Sequence, residues 1–168
     1  MRMRGWTRLS AGMVCAALAG AAAAQQGTVA VKQLTPEAAS AAARAAMEHC
    51  RKQGYQVGVA VVDRGGALQA FVRDRFAGAH TIDVATNKAW SAASFKIPTS
   101  TLAAETQAGR PMSGLRAHPK VMAVAGGQVV ESGGTLVGAI GVSGAPGADA
   151  DDGCAAAGIK AIADSLEL

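Results

Sequence analysis

The chain lacks the minimal residues of several chemistries. It contains no HExxH, no CxxC and no CxxCH, which excludes a zinc protease of that type, thiol redox work on paired cysteines and covalent c-type haem attachment. The nearest approach to a nucleophile elbow, Gly141-Val142-Ser143-Gly144, has no residue between serine and glycine, so the GxSxG of an α/β-hydrolase is missing as well. No segment recurs at a period of roughly 20 to 50 residues, so a solenoid or propeller is excluded.

Long apolar runs are also absent. The uncharged apolar stretch from Ala11 to Leu18 is too short for a membrane span, which needs about 20 such residues. Arg2, Arg4 and Arg8 precede it and Ala22-Ala23-Ala24 follow it. That order reads as a secretory signal peptide over residues 1–24, cut between Ala24 and Gln25, and it implies a periplasmic or secreted protein with no membrane insertion afterwards. Val14 stands before Cys15 where a lipoprotein signal carries a small residue. Removing residues 1–24 takes three of the 16 basic side chains and none of the 12 acidic ones, leaving 13 against 12. A chain so nearly neutral has no clustered charge for nucleic acid. Residues 25–34 read as a lead-in and residues 35–168 as one domain with one core.

What is present alternates between helix and strand patterns. Thr35-Pro36-Glu37 is a helix start, with capping hydroxyl, first-turn proline and an acid at the positive end of the dipole. The helix runs to about residue 53, with Ala39, Ala42, Ala43, Ala46 and Cys50 on one small, flat face. Residues 57–62 and 68–73 read as a hairpin around Asp63-Arg64-Gly65-Gly66. Residues 82–95 return to helical spacing, Pro98 ends them, and a short helix follows to about residue 107. Residues 121–125, 128–131 and 135–143 read as three strands joined by tight turns, and a last helix covers residues 149–166. The fold class is therefore α/β of the α+β type, in the order α-β-β-α-α-β-β-β-α. It has one mainly antiparallel sheet of about five strands flanked by helices. Cys50 and Cys154 read as separate small buried residues, a disulfide being the alternative in an oxidising compartment.

The glycine-rich stretch GAIGVSGAPGADADDGCAAAG, residues 138–158, invites a phosphate-loop reading and fails it. Asp149, Asp151 and Asp152 occupy the helix start where a P-loop needs lysine and a hydroxyl. Gly141, Gly144 and Gly147 are each three apart, which misses the dinucleotide fingerprint. The stretch reads instead as strand, turn and acid-capped helix.

Four ordered segments then carry a resemblance: VAVVDRGGALQAFVRD (59–74), DVATNKAWSAASF (83–95), HPKVMAVAGGQVV (118–130) and VGAIGVSGAPGADADDGCAAAG (137–158). Together the chain resembles the HbpS/GlcG-like haem-binding proteins, whose domain also occurs at the end of PduO-type corrinoid enzymes. The resemblance implies an antiparallel sheet flanked by helices, homo-oligomers, and non-covalent haem binding in some members, including secreted ones that sequester haem or help to sense it. Two departures stand out: Gln128 follows Gly126-Gly127 where the family commonly has proline, and residues 75–80 replace an acidic turn resembling R-M-D-G-A.

Haem iron is held by His, Met, Cys or Tyr, which directs attention to the three histidines. His80 is the foremost ligand candidate, in a loop with Phe76, near Arg73 and Arg75 for the propionates and ten residues before Trp90. His118, in the same stretch as Met112, and His49, on the first helix, are further cofactor-binding candidates. Each also has an ordinary reading as a loop, turn or core-edge residue. No residue is assigned a catalytic role. The leading expectation is an exported haem-binding carrier, scavenger or sensor accessory. The alternatives are an accessory protein or enzyme of a periplasmic 2-hydroxy-acid or alcohol oxidation pathway, and a structural oligomer subunit built on the alanine-rich helix faces.

Overall fold

Thr35 opens the first helix in the manner its sequence dictates. It stands in extended conformation, its hydroxyl accepts the Ala38 N–H at 3.2 Å, and Pro36 fills the first helical position. The structure is a computed structural model that describes residues 27–166, and the signal-peptide expectation for residues 1–24 lies outside them. Residues 27–30 carry no regular secondary structure. The domain runs from Val31.

Helix α1 (Pro36–Lys52) is followed by strands β1 (Gly58–Asp63) and β2 (Leu68–Arg73), helices α2 (Thr81–Phe95) and α3 (Thr99–Glu105), and a 3₁₀ turn over Ser113–Ala117. Strands β3 (Gly127–Ser132) and β4 (Thr135–Ser143) come next, then helices α4 (Ala148–Lys160) and α5 (Ala163–Leu166). The four strands form one antiparallel sheet in the order β2-β1-β4-β3. Asp63 closes the first hairpin, its carboxylate accepting the N–H groups of Gly65 and Ala67 at 2.8 and 2.9 Å, an Asx turn.

Period-two alternation assigns each strand residue to a layer. Val59, Val61, Ile140 and Val142 join Ala39, Ala42, Ala43, Ala46 and Cys50 in one buried cluster with α1 and α4. Ala60, Val62 and Ala139 meet Ala85, Ala89, Ala92 and Ala93 of α2 in another. The alanine faces are thus spent on the domain's own sheet and are not left for a neighbouring subunit. Small residues set the spacing: a Cβ added at Gly141 would overlap the backbone carbonyl of Ala85, so α2 lies directly on β4.

Three expectations need correction. The sheet has four strands where about five were expected, because residues 121–125 do not pair. Their donors go elsewhere: the Met122 N–H bonds to the Ser91 hydroxyl at 2.9 Å and the Val121 N–H to the His118 carbonyl at 3.1 Å. The last helix breaks at Ala161–Ile162, in a turn that buries Ile162 in the core. Finally, Cys50 and Cys154 are both buried and bonded to each other, their Cα atoms 5.6 Å apart. The approach of α1 to α4 explains the bond, since a Cβ at Gly158 would sit 2.7 Å from the Ala42 carbonyl.

Candidate functional site

The sequence groups His80, Phe76 and Trp90 at one site, and the structure divides them between the two ends of α2. Ten helical residues span about 15 Å.

At the N-terminal end, His80 occupies the cap position with an exposed ring that makes no capping bond. Phe76 is 80 % exposed and Ile82 47 % exposed, an apolar patch beside an imidazole. Arg75 is exposed next to them, while the Arg73 guanidinium is engaged in donating to the Ala77 carbonyl. The loop behind this patch is well tied. Asp74, buried, accepts a forked pair of bonds from Arg51 at the end of α1, at 2.8 and 3.0 Å. That hydrogen-bonded guanidinium holds the Asp74 carboxyl below the usual carboxylate range, against an opposing push from burial. A lowered carboxyl contributes its stability above its unfolded pKa and loses it as pH falls through the folded value. The tie therefore holds at neutral pH and weakens only in acid.

At the other end of α2, the Trp90 and His118 rings stack, 5.5 Å between centroids and 6° from parallel, with Lys120 Nζ 5.7 Å from the Trp90 ring centroid. His118 Nδ1 accepts the Lys120 N–H at 3.2 Å, so one of its two nitrogens is already engaged. Stacked aromatic pairs contribute about 0.5–1.5 kcal/mol beyond area burial. His118→Ala is accordingly expected to destabilise the domain by about 1 kcal/mol and to shift Trp90 emission to longer wavelength, as checked by urea melts followed through fluorescence.

Two candidates remain. Met112 precedes the 3₁₀ turn and is exposed. His49 is exposed in the last turn of α1, where a cation is favoured by the helix dipole.

Sequence reasoning missed a buried ion pair. Lys88 Nζ donates to Asp151 Oδ2 at 2.8 Å and to the Val142 carbonyl at 2.9 Å, and Asp151 Oδ1 accepts the Ala145 N–H at 3.0 Å. Asp151 was expected only as a helix cap. The available signal was a lysine at position 88, one turn from Ala85 and next to Ala89 on the buried side of α2.

An open groove of about 540 Å³ is lined by residues that include Val31, Lys32, Leu34, Ser132, Val137 and Leu166. Its lining has no His, Met, Cys or Tyr, so it offers haem iron none of its usual ligands. The His80 end does fit the group chemically: an unengaged imidazole, apolar side chains for a macrocycle and an arginine for carboxylates. Among the described residues no three His, Cys, Asp or Glu side chains gather to hold a metal ion by themselves, and no helix is long and apolar enough to cross a membrane.

Comparison with known proteins places this architecture. The family model described as haem degrading protein HbpS-like matches residues 34–160. No curated protein matches the chain. A double mutant of HbpS from Streptomyces reticuli is 38 % identical with a TM-score of 0.75, over 90 % of this chain and 97 % of that one. The Klebsiella pneumoniae protein ORFY is 29 % identical with a TM-score of 0.79, over 84 % and 97 %. PduOC, solved as a heme complex, is 30 % identical with a TM-score of 0.73, over 77 % and 95 %. Because the family match runs from the buried Leu34 to the last residue of α4, taking in all four strands and both ends of α2, the chain belongs to the HbpS-like family.

Proposed function

We propose that this protein is an exported, non-covalent haem-binding protein that acts as a carrier, scavenger or sensor accessory and assembles as a homo-oligomer. The observation that carries the haem reading is the likeness to PduOC, a neighbour solved with heme bound. The His80 end of α2 supplies a fitting surface: His80 as iron ligand, Phe76 and Ile82 against the macrocycle, and Arg75 toward a propionate. Bound haem would bring an iron centre open to ligand exchange and redox change, and the chain's own residues hold and orient it. Export rests on the signal pattern of residues 1–24, and N-terminal sequencing of the secreted form should begin at Gln25.

Titrating hemin into the mature protein tests the reading. A saturable Soret shift is expected, altered by His80→Ala and left in place by His118→Ala and His49→Ala. The absence of any saturable shift would sink it, and an unchanged spectrum in His80→Ala would remove that residue as ligand. The family description speaks of haem degradation, so the same sample is followed with reductant and oxygen. A persistent Soret band fits a carrier, and a decaying one fits breakdown.

A further inference from the structure

The loop that carries His80, seven residues from 74 to 80, leaves the sheet at the end of β2 and re-enters regular structure at α2, on the surface. Loops of this kind are ordinarily the mobile parts of a domain. Here nearly every turn of it is tied. The Asp74 N–H donates to the Val57 carbonyl at 2.9 Å and the Ala77 N–H to the Asp74 carbonyl at 3.1 Å. The Thr81 hydroxyl and N–H both donate to the Gly78 carbonyl, at 2.7 and 3.1 Å, and the Phe76 N–H reaches the Gln56 side-chain oxygen at 3.4 Å. The imidazole itself lies on Gly78, where an added Cβ would come within 2.6 Å of His80 Cε1. The ring orientation is thus set by the backbone path of residues 74–80.

Besides the Val57 carbonyl and the Gln56 side chain, that path is anchored from outside by one ion pair. Asp74 is the first residue of the loop and the only buried acid in it, and its carboxylate has three donors: Arg51 Nε, Arg51 Nη2 and the Arg75 N–H, at 2.8, 3.0 and 2.8 Å. Two of these come from another element, the last turn of α1. A guanidinium fork fixes a carboxylate in plane as well as in distance.

We propose that Arg51 and Asp74 are positioning residues that hold the 74–80 loop and, through it, the His80 imidazole and the exposed Phe76 ring in the orientation that receives the tetrapyrrole. This rests on the haem-site reading above. Arg51 does not touch the ligand. Its action passes through Asp74 and the backbone of the loop.

The test compares hemin complexes of the wild type, Arg51→Met, Arg51→Lys and His80→Ala, with folding verified by far-ultraviolet circular dichroism. Partners that orient a metal-bound histidine typically change affinity about 10–100-fold. Arg51→Met is expected to speed hemin transfer to apomyoglobin at least about tenfold and to move the Soret and low-spin signals toward those of His80→Ala. Arg51→Lys, which keeps the charge without the fork, is expected to recover part of the difference. In the haem-free protein, hydrogen exchange at the Ala77 and Thr81 amides is expected to quicken in Arg51→Met and to stay slow in His80→Ala. Wild-type spectra and off-rates in a folded Arg51→Met, alongside a clear change in His80→Ala, would overturn the positioning role while leaving the haem site standing. A His80→Ala protein identical to wild type would instead overturn the site, and the positioning role with it.

Discussion

Replacing Cys50 and Cys154 together with alanine is expected to destabilise the domain by about 2–5 kcal/mol and to lower its thermal midpoint by roughly 10 °C. The bridge links residues 104 apart in sequence, so it restricts most of the unfolded domain. Chain-entropy reasoning assigns a loop of about 100 residues a contribution near 4.7 kcal/mol, from which native-state strain and residual unfolded structure subtract. Alanine suits both positions, since each cysteine is fully buried among small residues and its Cβ packing survives the change. Burial also separates two observations: dithiothreitol should leave the native protein bonded, because exchange requires access, and should shift the urea midpoint once unfolding opens the core. Reduced wild type and the double variant are expected to unfold at the same midpoint. An oxidised wild type no more stable than either would show that the bridge contributes nothing.

The disulfide also marks where sequence reading stops. Periodicity alone assigns Ala39, Ala42, Ala43, Ala46 and Cys50 to one face of α1, and that face is the buried one. Apolar, β-branched runs bounded by turn residues likewise locate β1, β2 and β4, and the Thr35-Pro36 start locates α1 to within one residue. These features are local, and local pattern encodes them. Whether Cys50 faces Cys154 depends on how closely two helices far apart in sequence approach, which here is decided by the missing side chain of Gly158 against the Ala42 carbonyl. Residues 121–125 show the converse failure. Their apolar run resembles a strand, yet Ser91 of α2 captures the Met122 N–H, a tertiary partner that propensity cannot anticipate. The candidate site divides the same way: the residue types of His80, Phe76 and Arg75 are visible in the sequence, while the stacking of Trp90 on His118, away from His80, follows from the length of α2 and the path of the loop after α3.

Lys88→Met should be the most damaging single side-chain change, costing about 3–5 kcal/mol, because it strands a buried carboxylate. Lys88 is 2 % exposed and makes two bonds, to Asp151 and to the Val142 carbonyl, so it joins α2, β4 and α4 at one point. Burial pushes the Asp151 carboxyl above its ordinary value even with Lys88 opposing, and removing Lys88 raises it further. The sign of the pH effect follows. A carboxyl whose folded pKa lies above its unfolded value binds its proton more tightly in the folded state, so ionisation at neutral pH costs stability and protonation restores it. The deficit of Lys88→Met relative to wild type is therefore expected to be largest at neutral pH and to shrink as pH falls through the raised pKa. Adding Asp151→Asn removes the stranded charge and keeps an oxygen for the Ala145 N–H. The double variant should then lose less than Lys88→Met alone, with a coupling of about 1–3 kcal/mol in the double-mutant cycle. Strictly additive losses, or a Lys88→Met deficit that does not change with pH, would show that the pair acts through packing and not through charge.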